Sequence, residues 1–141
     1  MNSQVKTFAE FEVGDSAAFE EVISADLVKK FAELSGDTNP LHIDESYASQ
    51  TDFRRPIAHG MIAGALFSRL MGMYLPGQHA LYVKQTLNFR QPIYPGATVK
   101  VAGQVTHKTD SASLLTIKTE ILDSQSGQLY VDGEALVKVL K

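Results

Sequence analysis

The chain has 141 residues, a length that suits one domain and leaves no room for two, and 44% of them are hydrophobic, which favours a packed core over disorder. A formal net charge of -3 gives no basic footprint for nucleic acid, and the lack of cysteine excludes a disulfide framework and a thiolate metal site. Residues Met1 to Glu10 hold no basic region followed by an apolar run, and no apolar stretch is long enough to cross a bilayer, so a cytoplasmic protein with no membrane partner is expected.

In chain order, Ser16 to Ile23 reads as a short strand after the Gly14-Asp15 turn. Ser24 is placed to cap a helix running to about Ser35, with Leu27, Val28, Phe31 and Leu34 on one apolar face and Gly36 as its stop. The segment from Asp37 to His42 contains Pro40 and is expected to be irregular; Asp44 can cap a single helical turn through Tyr47 and Ala48. Beyond Arg54-Arg55-Pro56 comes the most apolar helix, roughly Gly60 to Leu75. It is apolar nearly all round, so it should be buried, and Pro76-Gly77 ends it.

The second half changes to a period of two. Leu81, Val83, Gln85, Leu87 and Phe89 alternate with Tyr82, Lys84, Thr86, Asn88 and Arg90. The same alternation runs through Val99 to Val105, Leu115 to Ile121 and Leu129 to Val139. Short connections such as Ser124-Gln125-Ser126-Gly127 make the sheet antiparallel. The expected fold class is α+β, one long antiparallel sheet curled around one buried helix, with residues 1–141 forming a single domain. Such a sheet leaves an edge to be protected, and a homodimer is one way to do so.

The stretch most informative about chemistry is Phe31-Ala-Glu-Leu-Ser-Gly-Asp-Thr-Asn-Pro-Leu-His42. Asp37 offers a carboxylate, and His42 an imidazole of the kind that changes charge near neutral pH. Pro40 stiffens the chain between them, and Asn39 can fasten it through side-chain to backbone bonds. On residue chemistry alone, a turn-stabilising Asp with a core His stands beside an acid–base pair. The helix start at His59-Gly60-Met61 offers free N–H groups and a favourable dipole to an anion, with no side chain on Gly60 to block approach. Gly60 equally permits a tight helix start. His59 reads as a capping or loop-anchoring residue.

The stretch Ser35-Gly-Asp-Thr-Asn-Pro-Leu-His42, with Ala48 six residues further on, resembles the hydratase-2 signature of the MaoC-like dehydratase family. Arg55-Pro-Ile-Ala-His-Gly-Met61 and Leu87-Asn-Phe-Arg-Gln-Pro92, followed by Gly96, agree with it, and the resemblance runs from about Phe11 to Lys138. The resemblance implies a hot dog fold and reversible syn addition of water to a trans-2-enoyl-CoA, giving an (R)-3-hydroxyacyl-CoA. It implies Asp37 and His42 as the catalytic pair, without dividing base from acid, and the Gly60 N–H as donor to the thioester oxyanion. Asn39, Ser68 and Met71 are then substrate-binding positions, the last two on the helix where an acyl pocket would be closed. Core packing explains Met71 equally, and Ser68 can bond back to the Gly64 carbonyl.

No cofactor is expected beyond the coenzyme A carried by the substrate, and no metal, since no zinc pattern occurs among the four histidines. Lys84, Arg90, Lys100 and Lys108 read as surface cations. The same pair serves a 3-hydroxyacyl thioester dehydratase acting on coenzyme A or acyl carrier protein substrates. A thioesterase and a non-catalytic acyl-CoA-binding module would not need both Asp37 and His42.

Overall fold

The computed structural model describes residues 2–141. Strand β1 (Ser16–Val22) leads into helix α1 (Ala25–Ser35), whose start is fixed by Ser24 Oγ accepting from Leu27 N at 3.0 Å. Gly36 closes α1 at φ 76°, a left-handed conformation that costs a glycine little. The inward face of α1 is narrower than its apolar pattern suggests: Val28 and Ala32 are buried, whereas Leu34 is 85% exposed.

Two short helices follow, α2 (Pro40–Ile43) and α3 (Glu45–Ser49). The segment from Asp37 to His42, expected to be irregular, is so as far as Asn39 and then enters the single turn of α2. Pro40 stands at its first position, where a missing N–H is no loss, and Asn39 Oδ1 accepts from Leu41 N. Asp44 caps α3 through Tyr47 N, as its spacing foretold.

The central helix α4 spans Ile62–Arg69, with Gly60 and Met61 in the turn before it rather than in its first turn. It then widens into a π-helical turn over Leu70–Tyr74, closed by Leu75 N to Leu70 O. Chain from the N-terminus covers carbonyls of that turn: Ser3 Oγ donates to Gly72 O at 2.6 Å and Gln4 N to Met73 O at 3.0 Å. Ile62, Ala63, Leu66, Phe67, Leu70 and Met71 are buried, but Met61, Ala65 and Ser68 are exposed, so the expected all-round burial is corrected. The sheet covers one side of the helix; among the described residues the side that carries Met61, Ala65 and Ser68 stays exposed.

The sheet has the order β1-β4-β5-β6-β2, with β4 spanning Thr98–Thr109, β5 Leu114–Asp123, β6 Leu129–Val139 and β2 Ala80–Gln85; the two-residue β3 (Asn88–Phe89) also pairs with β6. All recorded pairings are antiparallel. In β4 and β5 the period-two sets point into the core as read: Val99, Val101, Gly103 and Val105 are buried, as are Leu115, Ile117, Thr119 and Ile121. Across the middle, Ala17, Gly103, Thr119 and Gly133 lie in register. Within this row Gly103 lets the helical segment sit close, since a Cβ there would come 3.0 Å from Leu70 Cδ2.

The run from Leu81 to Phe89 departs from its pattern. A bulge between Tyr82 and Lys84 shifts the register by one residue. Tyr82 therefore faces the core while Leu81 and Val83 are about half exposed. Past the bulge the inward positions fall to Gln85 and Leu87. Gln85 donates to the buried Thr119 hydroxyl and accepts from Tyr82 Oη at 2.6 Å.

Candidate active site

The overhang after α1 is built from short-range polar bonds. Ser35 Oγ accepts from Asp37 N at 3.1 Å, Asp37 Oδ1 from Asn39 N at 3.2 Å, and Asn39 Oδ1 from Leu41 N at 3.0 Å. These side-chain to backbone bonds are what Asp, Asn and Ser provide in turns. Asn39 is therefore engaged in capping α2, and Asp37 keeps an exposed carboxylate whose Oδ2 has no hydrogen-bond partner among the described residues.

Three bonds tie the overhang to residues 57–59. Ile57 N donates to Leu41 O at 3.3 Å, His42 Nδ1–H donates to Ile57 O at 2.7 Å, and His59 Nε2–H donates to Asp37 O at 2.8 Å. Residues 57–59 are themselves anchored by Ala58 N to Ile93 O at 2.8 Å. A carbonyl oxygen can only accept, so each bond places a proton on the ring nitrogen concerned. For His42 the neutral ring then carries its proton on Nδ1 and leaves Nε2 as a bare acceptor.

Asp37, His42 and His59 offer a carboxylate oxygen and two ring nitrogens that all lie within 4.8 Å of one another. The rings of His42 and His59 stack at 4.0 Å between centroids, with planes 28° apart, and Phe31 packs on His59 at 4.9 Å. His59 is 3% exposed and its Nδ1 has no partner among the described residues. Three such ligand types also suit a metal ion. Each ring already donates one N–H to a carbonyl, an arrangement that fits a histidine ligand as well as a proton-transfer residue.

His42 lines two cavities. A pocket of about 240 Å³ lies against His42, His59, Gly60, Phe89 and Arg90, and a groove of about 620 Å³ runs beside Val28, Ala32, Thr38, Ile43 and Pro56. Among the described residues no backbone carbonyl accepts from the Gly60 N–H. A Cβ on Gly60 would stand 3.0 Å from the Phe89 ring, so a larger residue there would crowd that ring.

The other sequence-derived positions are placed elsewhere. Met71 is 1% exposed in the core, and Ser68 lies on the uncovered face of α4; neither lines the two cavities around His42. The back-bond from Ser68 to Gly64 is absent. Arg90 pairs with Asp132 at 3.2 Å and borders the smaller pocket, a placement its strand position did not disclose. His59 anchors the loop rather than capping α4, whose N-cap is Met61. The role of the Ile57 carbonyl left no trace in the sequence, because any residue supplies that group. No helix among the described residues is long and apolar enough to cross a membrane.

A long antiparallel sheet wrapped on one helix, with an acid and an imidazole on an overhang beside that helix's start, defines a class of protein. The model of the MaoC like domain matches residues 10–125, and the chain belongs to that family, with its hot dog fold. It is 42% identical over 128 residues to the (R)-specific enoyl-CoA hydratase of Aeromonas caviae, covering 91% of this chain and 95% of that one. It is 38% identical over 138 residues to the 3-hydroxybutyryl-CoA dehydratase of Methylorubrum extorquens, covering 98% and 87%. The unliganded structure of the R-hydratase PhaJ1 from Pseudomonas aeruginosa superimposes with a TM-score of 0.90 at 38% identity, covering 96% of this chain and 86% of that one.

Proposed function

We propose that this protein is an (R)-specific enoyl-CoA hydratase, adding water syn across the double bond of a trans-2-enoyl-CoA to give the (R)-3-hydroxyacyl-CoA. The observation that carries the reading is His42: its Nδ1–H is committed to Ile57 O, so Nε2 is left to take a proton beside the Asp37 carboxylate. Water held between the two gives its proton to His42 Nε2 as its oxygen bonds to C3. The electron pair of the double bond moves onto the thioester oxygen, and the Gly60 N–H donates a hydrogen bond to the oxyanion so formed; one such donor contributes about 3 kcal/mol in other enzymes. The pair then returns a proton to C2. Both additions come from the face that Asp37 and His42 occupy, which is the syn outcome.

Asn39 supports the substrate site by holding α2, and Ser68 and Met71 are proposed to limit the acyl chain. The reaction needs no cofactor beyond the coenzyme A of the substrate. Residues 1–141 act as one hot dog domain, and as a homodimer in the cytoplasm. The dimer is supported by β2, an edge strand of the sheet, which carries the half-exposed Leu81 and Val83; Phe89, which lies against Gly60, and the adjoining Met61 are also exposed. Dehydration of 3-hydroxyacyl thioesters is the same chemistry in reverse, and the likeness to a 3-hydroxybutyryl-CoA dehydratase favours coenzyme A over a carrier protein.

The test is the loss of conjugated enoyl-thioester absorbance with crotonyl-CoA, followed by chiral analysis of the product. Decay to the (R)-3-hydroxy thioester is expected. Release of free thiol instead would indicate a thioesterase, and the (S) product would overturn the proposed geometry.

A further inference from the structure

We propose that His59 is a positioning residue for the hydration reaction, holding the Asp37 main chain with one edge of its ring and the His42 imidazole against one face. The inference rests on Asp37 and His42 being the proton-transfer pair.

Asp37 lies on an exposed overhang, and its other recorded bonds reach only to Ser35 and Asn39. Short bonds of that kind shape a turn without fixing where the turn sits relative to the body. The bond from His59 Nε2 to Asp37 O crosses 22 residues and supplies that registration. The stack at 4.0 Å restrains the rotation of the His42 ring about its own bond, which the Ile57 hydrogen bond alone leaves as a hinge. His59 can do both because it is itself immobile: it is 3% exposed, Phe31 lies against it, and the adjoining Ala58 N bonds Ile93 O. A side chain that only filled space would not need a nitrogen. Burying an imidazole with an unpartnered Nδ1 is a cost that a phenyl ring would avoid. That cost accompanies a bond to the backbone of Asp37, and it is the reason to assign a role beyond packing.

Two variants separate the contacts. His59→Phe keeps an aromatic ring for the stack and removes the donor; His59→Gln keeps an N–H donor of similar reach. With crotonyl-CoA, His59→Phe is expected to lower kcat roughly 10- to 100-fold, since displacing a reacting group by about an ångström has that effect, while KM stays within about twofold. His59→Gln should run several-fold faster than His59→Phe, with both proteins folded by circular dichroism and of similar melting temperature. Wild-type kcat in both variants overturns the proposal. So do equal losses in both that match the loss of folded protein. If His59→Phe does not fold, His59→Asn, whose donor is too short to reach Asp37 O, takes its place, and equal rates for Asn and Gln overturn it. Asp37→Asn run alongside separates the two ideas: if that variant is fully active, the acid–base reading fails, whereas full activity in the His59 variants alone removes only the positioning role.

Discussion

Between Gly36 and Gly60 the chemistry-bearing side chains hang on bonds that reach two residues, such as Asp37 Oδ1 to Asn39 N, and are then tied to the body at a few points. In β4, β5 and β6 long antiparallel ladders run between consecutive strands, each with one register shift, and the inward side chains are sealed from water. The overhang has little buried surface with which to stabilise itself, so its geometry depends on individual hydrogen bonds. The sheet depends on area and close fit. A substitution in the first region should therefore change rate with little loss of stability, and one in the second should do the reverse.

The largest expected effect tests the first half of that contrast. Asp37→Asn keeps an acceptor for Asn39 N but cannot take a proton, so turnover should fall about 10²- to 10⁴-fold. The melting temperature should be unchanged, and steady-state kinetics with thermal denaturation check both. A parallel fall in stability would mean that Asp37 is a structural turn residue.

Gly133→Ala tests the second half. A Cβ there would lie 1.8 Å from Thr86 O, a backbone atom that cannot rotate away. We expect a loss of about 3 kcal/mol or more in denaturant unfolding, with KM and kcat nearly normal in whatever folds.

Met71 sits in the core and is also proposed to limit the acyl chain, so it tests where the two regions divide. Met71→Ala should cost about 2–3 kcal/mol because a fully buried side chain is removed. If Met71 also limits the acyl chain, relative rates should shift toward longer enoyl-CoAs. Destabilisation with unchanged selectivity would place it with the sheet and core alone.

The smallest effect concerns Tyr82, whose phenol burial pushes up to about 12 from an ordinary value of 10. Because the folded state keeps this proton to higher pH than the unfolded chain does, the associated stability is complete below pH 10. It is lost as pH rises toward 12. Tyr82→Phe should lose less stability across that window, although it also gives up the hydrogen bond to Gln85. Identical slopes would show that the shift is not expressed in folding.

Patterning legible along the chain settled a large part of the fold. Ser24 and Asp44 cap their helices, Gly36 ends α1, and the alternation in β4 and β5 faces the core because neighbouring residues alone decide those features. The proximity of Asp37 and His42 was readable too, since five residues cannot separate them far. Tertiary structure decided the rest. The bulge at Tyr82/Lys84 reversed the face of β2, and the packing of α1 left Leu34 in water, because both depend on which surface meets which. The proton on His42 Nδ1 is set by a carbonyl at Ile57, and the ring that stacks on it comes from His59. A backbone acceptor has no identity in sequence and a stacking partner no fixed spacing, so only the folded chain could bring them to the same imidazole.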